Sequence, residues 1–388
     1  AKEINLFYIS TPQGKGDFVK EPSRYILKLK WFFEKERKRL PEEVFKIPIS
    51  IKPRKEELPK SKEDKETLDH YLVNVKELSR NFFETYLTCP VRFYFQYLLG
   101  LKEKEDYTIK DKDIGLLLHT FFERLFKKYE GRSFSYTELY EKGNWKEIFK
   151  NILEEEKFEK RLDPLSFELT RTVGLSCLEK YFENQKNREE TNNLEETFIL
   201  GVEKKLTYES VYQSYPIKFT GRVDFFIKRK ENNRVKYIIF DFKTSPTKKP
   251  KPKKLEVLIR NTLPSTFDKE GLISVRDLFG KDLTNFQLLF YLFLLIKNLE
   301  KFLDTNENYS LDVGFLTPSH LKEPEKLLLK NLRPSKIIQI LKYLERDFEG
   351  LLHWLLFHII ESPSFYFIDD DETCKFCPYK DPCKNLRY

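Results

Sequence analysis

Methionine is missing from all 388 positions of this chain, the first included. The expectation is a piece of a longer protein, or a chain from which Met positions have dropped out. In the second case some spacings below are short by one residue. Nowhere do eighteen apolar residues run together, and no basic stretch followed by an apolar one opens the chain. A membrane-spanning helix and a secretion signal are therefore not expected, and the chain reads as cytoplasmic. Cysteine is scarce, at five residues. Few Cys with abundant Lys and Glu is a thermophile pattern, although an AT-rich genome gives a similar Lys and Phe bias. A strong excess of one charge is also lacking: 70 basic against 62 acidic residues leave +8, which permits a nucleic-acid partner without demanding one.

What is present excludes disorder. Hydrophobic residues make up 40% and aromatics 15%, with 35 Phe and 21 Tyr, enough apolar surface to build a sizeable core. The length exceeds what one core usually fills, so two domains, or one with an appendage, are expected. Residues 4–9 read as a strand, and Pro22-Ser23-Arg24 starts a helix. Residues 48–69 are dense in Lys, Glu and Pro with almost no apolar pattern, which reads as a linker. The division that follows is an extension at 1–31, a charged linker at 32–74 and a main domain at 75–388.

Within the main domain the apolar periodicity predicts helices over 78–101, 114–129, 145–157 and 167–185. Strands follow at 197–208, 217–228 and 235–243, then a helix at 283–299, a strand at 311–316 and a helix at 336–360. This order is an α/β arrangement. No repeat is visible.

The chemistry gathers on two of those strands. Gly221-Arg222-Val223-Asp224 lies in one, and Phe240-Asp241-Phe242-Lys243 closes the next. Alternation along a strand sends Asp241 and Lys243 to one side and Phe242 to the other. If Asn232-Asn233 form a two-residue turn, 231 faces 234, 228 faces 237 and 224 faces 241. The two aspartates would then be cross-strand neighbours with Cβ atoms ~5 Å apart, a repulsive pair unless a cation neutralises it. Mg²⁺ or Mn²⁺ is the ion that carboxylates and phosphate oxygens select. Beside them, Lys243 could position a water and offset charge, which is phosphodiester hydrolysis chemistry. On spacing alone the plainer reading stands too: two strands ending at a solvent edge, with Lys243 an ordinary surface partner. His119 and Glu123 share one helix face, as do Gln287 and Tyr291, and an isolated His on an apolar helix is more often a core residue than a ligand.

Taken in order, His119, Gly221-Arg222-Val223-Asp224, Asp241-Phe242-Lys243 and Gln287-x3-Tyr291 resemble the RecB-type branch of PD-(D/E)XK nucleases, over roughly residues 75–388. The resemblance implies a restriction-endonuclease-like mixed sheet flanked by helices, one or two Mg²⁺ or Mn²⁺ ions, and DNA as substrate. It implies that Asp224 and Asp241 bind metal with His119 as a further ligand, that Lys243 is the catalytic lysine, and that Gln287 and Tyr291 line the substrate groove. Glu203 has a weaker claim as a carboxylate beside the metal.

Three of the cysteines crowd the C-terminus as Cys374-x2-Cys377-x5-Cys383, and three thiols within ten residues read as a metal site. Cys89, before Pro90, and Cys177 compete to be the fourth ligand, and Cys177 sits mid-helix where a small buried hydrophobe is expected. Tetrathiolate ligation suits zinc or an iron-sulfur cluster. The one-plus-three arrangement resembles the iron-sulfur form of the AddB nuclease domain. That implies a [4Fe-4S] cluster on Cys89, Cys374, Cys377 and Cys383, stapling a tail, residues 365–388, that shows few other anchors. Residues 1–31 also resemble the end of the helicase-like part preceding the nuclease in AddB-type subunits, which implies a helicase partner or domain and a place in DNA repair or recombination. A basic loop, residues 244–254 with five lysines, could hold a phosphate backbone, and the aromatic run at 93–97 is expected in the core. Two other readings stay open: a catalytically silent DNA-binding or scaffolding relative, and a zinc-stapled binding module.

Overall fold

Alternating and continuous apolar runs build the strands of this protein, and the apolar faces of helices cover them. The computed structural model describes residues 24–36, 54–75, 77–102, 111–155, 163–191, 196–231, 234–243, 263–264, 266–279, 283–303, 308–320, 322–368 and 370–387. The expected strand at 4–9, the Asn232-Asn233 turn and the basic loop at 244–254 lie outside them. The chain divides into two compact units, Ala1–Pro53 and Arg54–Tyr388. In the first, helix α1 (Arg24–Lys35) begins where the Pro22-Ser23-Arg24 start signal predicts.

The second unit begins at Arg54, so residues 54–74 are not a linker. They form β1 (Glu57–Pro59) and α2 (Lys62–Val75). Leu68 and Leu72, one helical turn apart, are buried amid charged neighbours, a stripe too narrow to stand out in the sequence. Next come β2 (Glu77–Ser79), α3 (Arg80–Thr88) and α4 (Pro90–Phe93), which continues as a π-helical turn to Leu98. The single helix expected at 78–101 is thus broken at Cys89, which is extended (φ −165°, ψ 117°) because a following proline disfavours the helical conformation.

Helix α5 (Asp111–Lys127), β3 (Ser133–Phe134), α6 (Tyr136–Lys142), α7 (Trp145–Glu155) and α8 (Pro164–Thr191) lead into the long strands β4 (Glu196–Tyr212), β5 (Tyr215–Glu231) and β6 (Arg234–Phe242). Strands β4 and β5 run further than the alternation suggests. They meet in a two-residue turn at Gln213-Ser214, both with positive φ, as a tight hairpin requires. Then follow α9 (Lys269–Phe279), α10 (Thr284–Asn298), β7 (Tyr309–Leu316), β8 (Glu325–Leu327), α11 (Pro334–Arg346), α12 (Phe348–Glu361), β9 (Ser364–Tyr366), α13 (Asp371–Lys375) and α14 (Lys380–Arg387). The helix expected at 336–360 is two helices meeting at Asp347.

The central sheet has the order β3-β4-β5-β6-β7-β8, with β2 also paired to β5. It is mixed: β6 with β7 and β2 with β5 are parallel, and the other pairs are antiparallel. One face packs on α10, whose residues from Asn285 to Leu295 are all buried. The other packs on α5, α7 and α8 through Phe121, Phe122, Phe149 and Phe182. Phe93 and Phe95 lie in the core, as expected. A second sheet, β1 with β9, joins the start of this unit to its end.

Candidate active site

The β5–β6 ladder carries the register counted from the hairpin, Glu231↔Arg234 and Lys228↔Tyr237, and its last pair is Phe225↔Phe240. Asp224 and Asp241 come next, and there the strands part. In place of a ladder bond, Asp224 Oδ2 accepts the Phe242 backbone N–H at 2.6 Å. Alternation also inverts at this point. Phe219 and Val223 of β5 pack in the α10 core, whereas Phe225 and Ile227, in the same phase, pack in the α5 core. Strand β4 inverts at the matching place: Leu206 belongs to the α10 core and Val202 to the other. The residue between the pairs Val202↔Phe225 and Lys204↔Val223 is Glu203, held at φ 50°. A non-glycine residue there costs on the order of 1 to 3 kcal/mol and persists only where its surroundings impose it.

Two helices deliver the remaining groups. From α5, His119 Nδ1 lies 3.5 Å from Asp224 Oδ2 and 3.6 Å from Glu203 Oε1, and one ligand atom from each of the three residues falls within 4.8 Å of the others. The His119 ring stands edge-on to Phe242, 5.6 Å between centroids. From α10, Gln287 Nε2 donates to Asp241 Oδ1 at 2.6 Å. Lys243 Nζ lies 2.7 Å from Asp241 Oδ2, but that oxygen takes no well-directed hydrogen bond among the described residues. Tyr291 is buried beneath the Arg80 guanidinium, 5.6 Å from its ring centroid, and Arg80 pairs with Glu84 at 3.3 Å. The sequence reading missed Arg80 and Glu84. Their i, i+4 spacing on α3 was the available signal.

Burial, and then the negative charge of Asp241, push the Asp224 carboxyl up to about 7, against the pull of His119 and the Phe242 N–H. Burial would lower His119, yet its hydrogen bond to Glu203 and the charges of Asp224 and Asp241 hold it above its ordinary value. Burial also raises Glu84 and Tyr291. The pattern is an excess of buried carboxylate. Asp224, Glu203 and a histidine nitrogen in mutual reach, with Asp241 next along the split, form a mixed oxygen and nitrogen donor set that fits a divalent cation.

The cysteines lie elsewhere. Cys383 on α14 lies within electrostatic reach of Cys89 at the α3–α4 break, of Cys374 on α13 and of Cys377 after it. The Cys383 thiol is pushed up to about 11 by burial first, then by Cys89, Cys377 and Cys374. Cys89 is raised by burial, with Cys377 contributing. Cys177, on α8, instead points its sulfur at the Pro318 carbonyl, 3.9 Å away. Among the described residues these sulfurs do not form a group of ligand atoms as close-set as that of His119, Glu203 and Asp224. The tail has more anchors than expected: β9 pairs with β1, the Lys55 N–H donates to the Arg387 carbonyl at 3.0 Å, Tyr379 donates to the Leu101 carbonyl at 2.8 Å, and Arg276 meets Asp370 at 3.0 Å.

A mixed sheet with helices on both faces, split beside two buried aspartates and a half-buried lysine, fits a nuclease class of fold. The family model of the PD-(D/E)XK nuclease superfamily matches residues 77–384, and the chain belongs to that superfamily. Among curated relatives it is similar to a subunit of the ATP-dependent helicase/deoxyribonuclease of Acetivibrio thermocellus, 35% identical over 65 residues, which is 17% of this chain and 6% of the relative. The corresponding protein of Ruminiclostridium cellulolyticum is 36% identical over 56 residues, 14% of this chain and 5% of the relative. The matched segments are thus a small part of those proteins. A solved structure of SSO0001 covers 84% of this chain and 94% of its own, at 12% identity and a TM-score of 0.22, a likeness on which nothing rests.

Proposed function

We propose that this chain is a divalent-metal-dependent deoxyribonuclease, an exonuclease working in DNA repair or recombination beside a helicase subunit or domain. The observation that carries the reading is the convergence of His119, Glu203 and Asp224, with Asp241, Lys243 and Gln287, at the one place where β5 and β6 part. His119, Asp224 and Asp241, with Glu203 beside them, would hold Mg²⁺ or Mn²⁺. Such an ion, when bound, polarises a phosphodiester and lowers the pKa of a bound water.

The chain's own groups do the rest. Gln287 donates to one Asp241 oxygen and so turns the other toward Lys243. The Phe242 N–H fixes Asp224 in the same way. Lys243, a cation on the rim of a carboxylate cluster, is positioned to orient the attacking water and to offset charge on the phosphate as the bond breaks. For the four cysteines the reading is a [4Fe-4S] cluster that braces the end of the domain. The partial matches to helicase/deoxyribonuclease proteins support DNA as substrate and a helicase partner.

The test is incubation of the purified protein with end-labelled single-stranded and double-stranded DNA, with Mn²⁺ and with EDTA. Metal-dependent shortening from an end is expected. No cleavage of either DNA under any metal would overturn the nuclease reading and favour a silent DNA-binding relative.

A further inference from the structure

Beyond the split, on the Gly221 side, lies a cavity of about 350 Å³ lined by Ser79 at the end of β2, Arg80 at the start of α3, Lys205 of β4, and Gly221 and Arg222 of β5, and closed by Tyr291 of α10. Three of its lining residues are cations and, among the described residues, no acid lines it. Their carboxylate partners lie outside the lining: Glu84 at 3.3 Å from Arg80, Glu77 at 2.8 Å from Lys205, and Glu203 at 3.9 Å from Arg222, the limit of an ion pair. The Arg222 side chain is 70% exposed. A surface Arg left this free, beside two more cations, is poised for an anion rather than for its own fold.

The position decides which anion. Arg222 is two residues from Asp224 on one strand, about 7 Å away at ~3.3 Å per residue. Arg80 lies over the ring of Tyr291 and within the fields of Asp241 and Asp224. The floor is kept open by Gly221. A Cβ there would come within 2.7 Å of Leu294 Cδ1 and 3.2 Å of the Tyr291 ring, so a side chain would crowd the residues that close the cavity.

We infer that this cavity is a phosphate subsite for the DNA strand being cut, in which Arg222, Lys205 and Arg80 grip the backbone phosphate next to the scissile one. The inference rests on DNA being the substrate. It makes the three cations positioning residues: they set the register of the strand over the carboxylates and do not touch the reacting phosphate. Its chemistry is sequence-independent, since a phosphate carries no base identity.

The test is binding of a fluorescein-labelled single-stranded oligonucleotide in EDTA, across a range of NaCl, by wild type, Arg222→Gln and Lys205→Gln. Each variant should bind several-fold more weakly, and the slope of log affinity against log salt should shrink by about 0.7 per lost contact on a single strand. With Mn²⁺ present, KM should rise more than kcat falls. Wild-type affinity and slope in both variants, with unchanged melting temperatures, would overturn the subsite. The two readings fail separately. A protein that cleaves but shows no slope change keeps the nuclease and loses the subsite, whereas one that loses slope but never cleaves keeps the subsite and loses the nuclease.

Discussion

Asp224 takes the Phe242 backbone N–H at 2.6 Å where the β5–β6 ladder would otherwise continue. A side chain thus performs a strand's task, which holds the carboxylate in place and lets the strands separate at once. The same carboxylate is buried and repelled by Asp241. Asp224→Asn keeps an acceptor oxygen for Phe242 and removes the repulsion. We expect it to fold, to melt a few degrees above wild type in EDTA, and to lose cleavage by at least about 100-fold. Mn²⁺ at 100 times its Kd should stabilise wild type by roughly 2.7 kcal/mol and leave the variant unmoved. Melting curves with and without Mn²⁺ check this, and an equal metal shift in both proteins would remove Asp224 from the metal set.

Lys243 separates chemistry from binding. Its ammonium lies 2.7 Å from Asp241 Oδ2 and 5.3 Å from the Phe315 ring centroid. Lys243→Met preserves the stem and removes the charge. Cleavage should fall by about 100-fold or more, while the Mn²⁺ melting shift and DNA affinity stay close to wild type. Cleavage at an undiminished rate would show that the lysine only balances Asp241.

Much of this site is legible in the sequence because β5 and β6 are joined by a two-residue connection, so counting outward from Glu231 and Arg234 reaches Asp224 and Asp241. The faces of Asp241, Phe242 and Lys243 follow from simple alternation. Glu203 is harder to read. Its side chain reaches His119 only because the strand inverts at a φ of 50°, which no local composition announces. Arg80 hides in an apolar helix start, and its role depends on Tyr291, more than 200 positions away. The early boundary fails for a similar reason: Leu68 and Leu72 are two apolar residues in a charged stretch, and their burial and the pairing of β1 with β9 depend on residues far along the chain.

The cysteines yield a contrast between two variants. If Cys89, Cys374, Cys377 and Cys383 hold one iron-sulfur cluster, Cys89→Ser should abolish visible absorbance and lower the melting temperature. Cys177→Ser should change neither, since that thiol is turned to the Pro318 carbonyl instead. Because the tail is also tied by β9, Tyr379 and Arg387, it should loosen toward protease only in part. Colour that survives Cys89→Ser but not Cys177→Ser would reverse the assignment. A colourless wild type with one zinc per chain would replace the cluster and keep the ligands.

The last expectation concerns acid. Glu325 on β8 is buried and meets Arg229 of β5 through two hydrogen bonds of 3.1 Å, with Arg188 3.6 Å away. Burial alone would raise its pKa, but the charge and hydrogen bonds of Arg229 overcome that and hold it at about 2, below the ordinary 4.5. A carboxylate depressed on folding stabilises above its unfolded pKa, so this contribution is complete above about 4.5 and is lost as pH falls toward about 2. The difference corresponds to about 3 kcal/mol at neutral pH. Glu325→Gln leaves Arg229 buried without its counter-charge, and urea melts at pH 7 should show a loss of about 3 to 5 kcal/mol. Between pH 4.5 and the acid limit the variant's stability should fall less steeply than that of wild type. Combining Glu325→Leu with Arg229→Met should recover most of the loss, because two well-packed apolar groups can replace a buried ion pair. A Glu325→Gln protein within about 1 kcal/mol of wild type at pH 7 would mean that water reaches this pair and that burial is not what makes it matter.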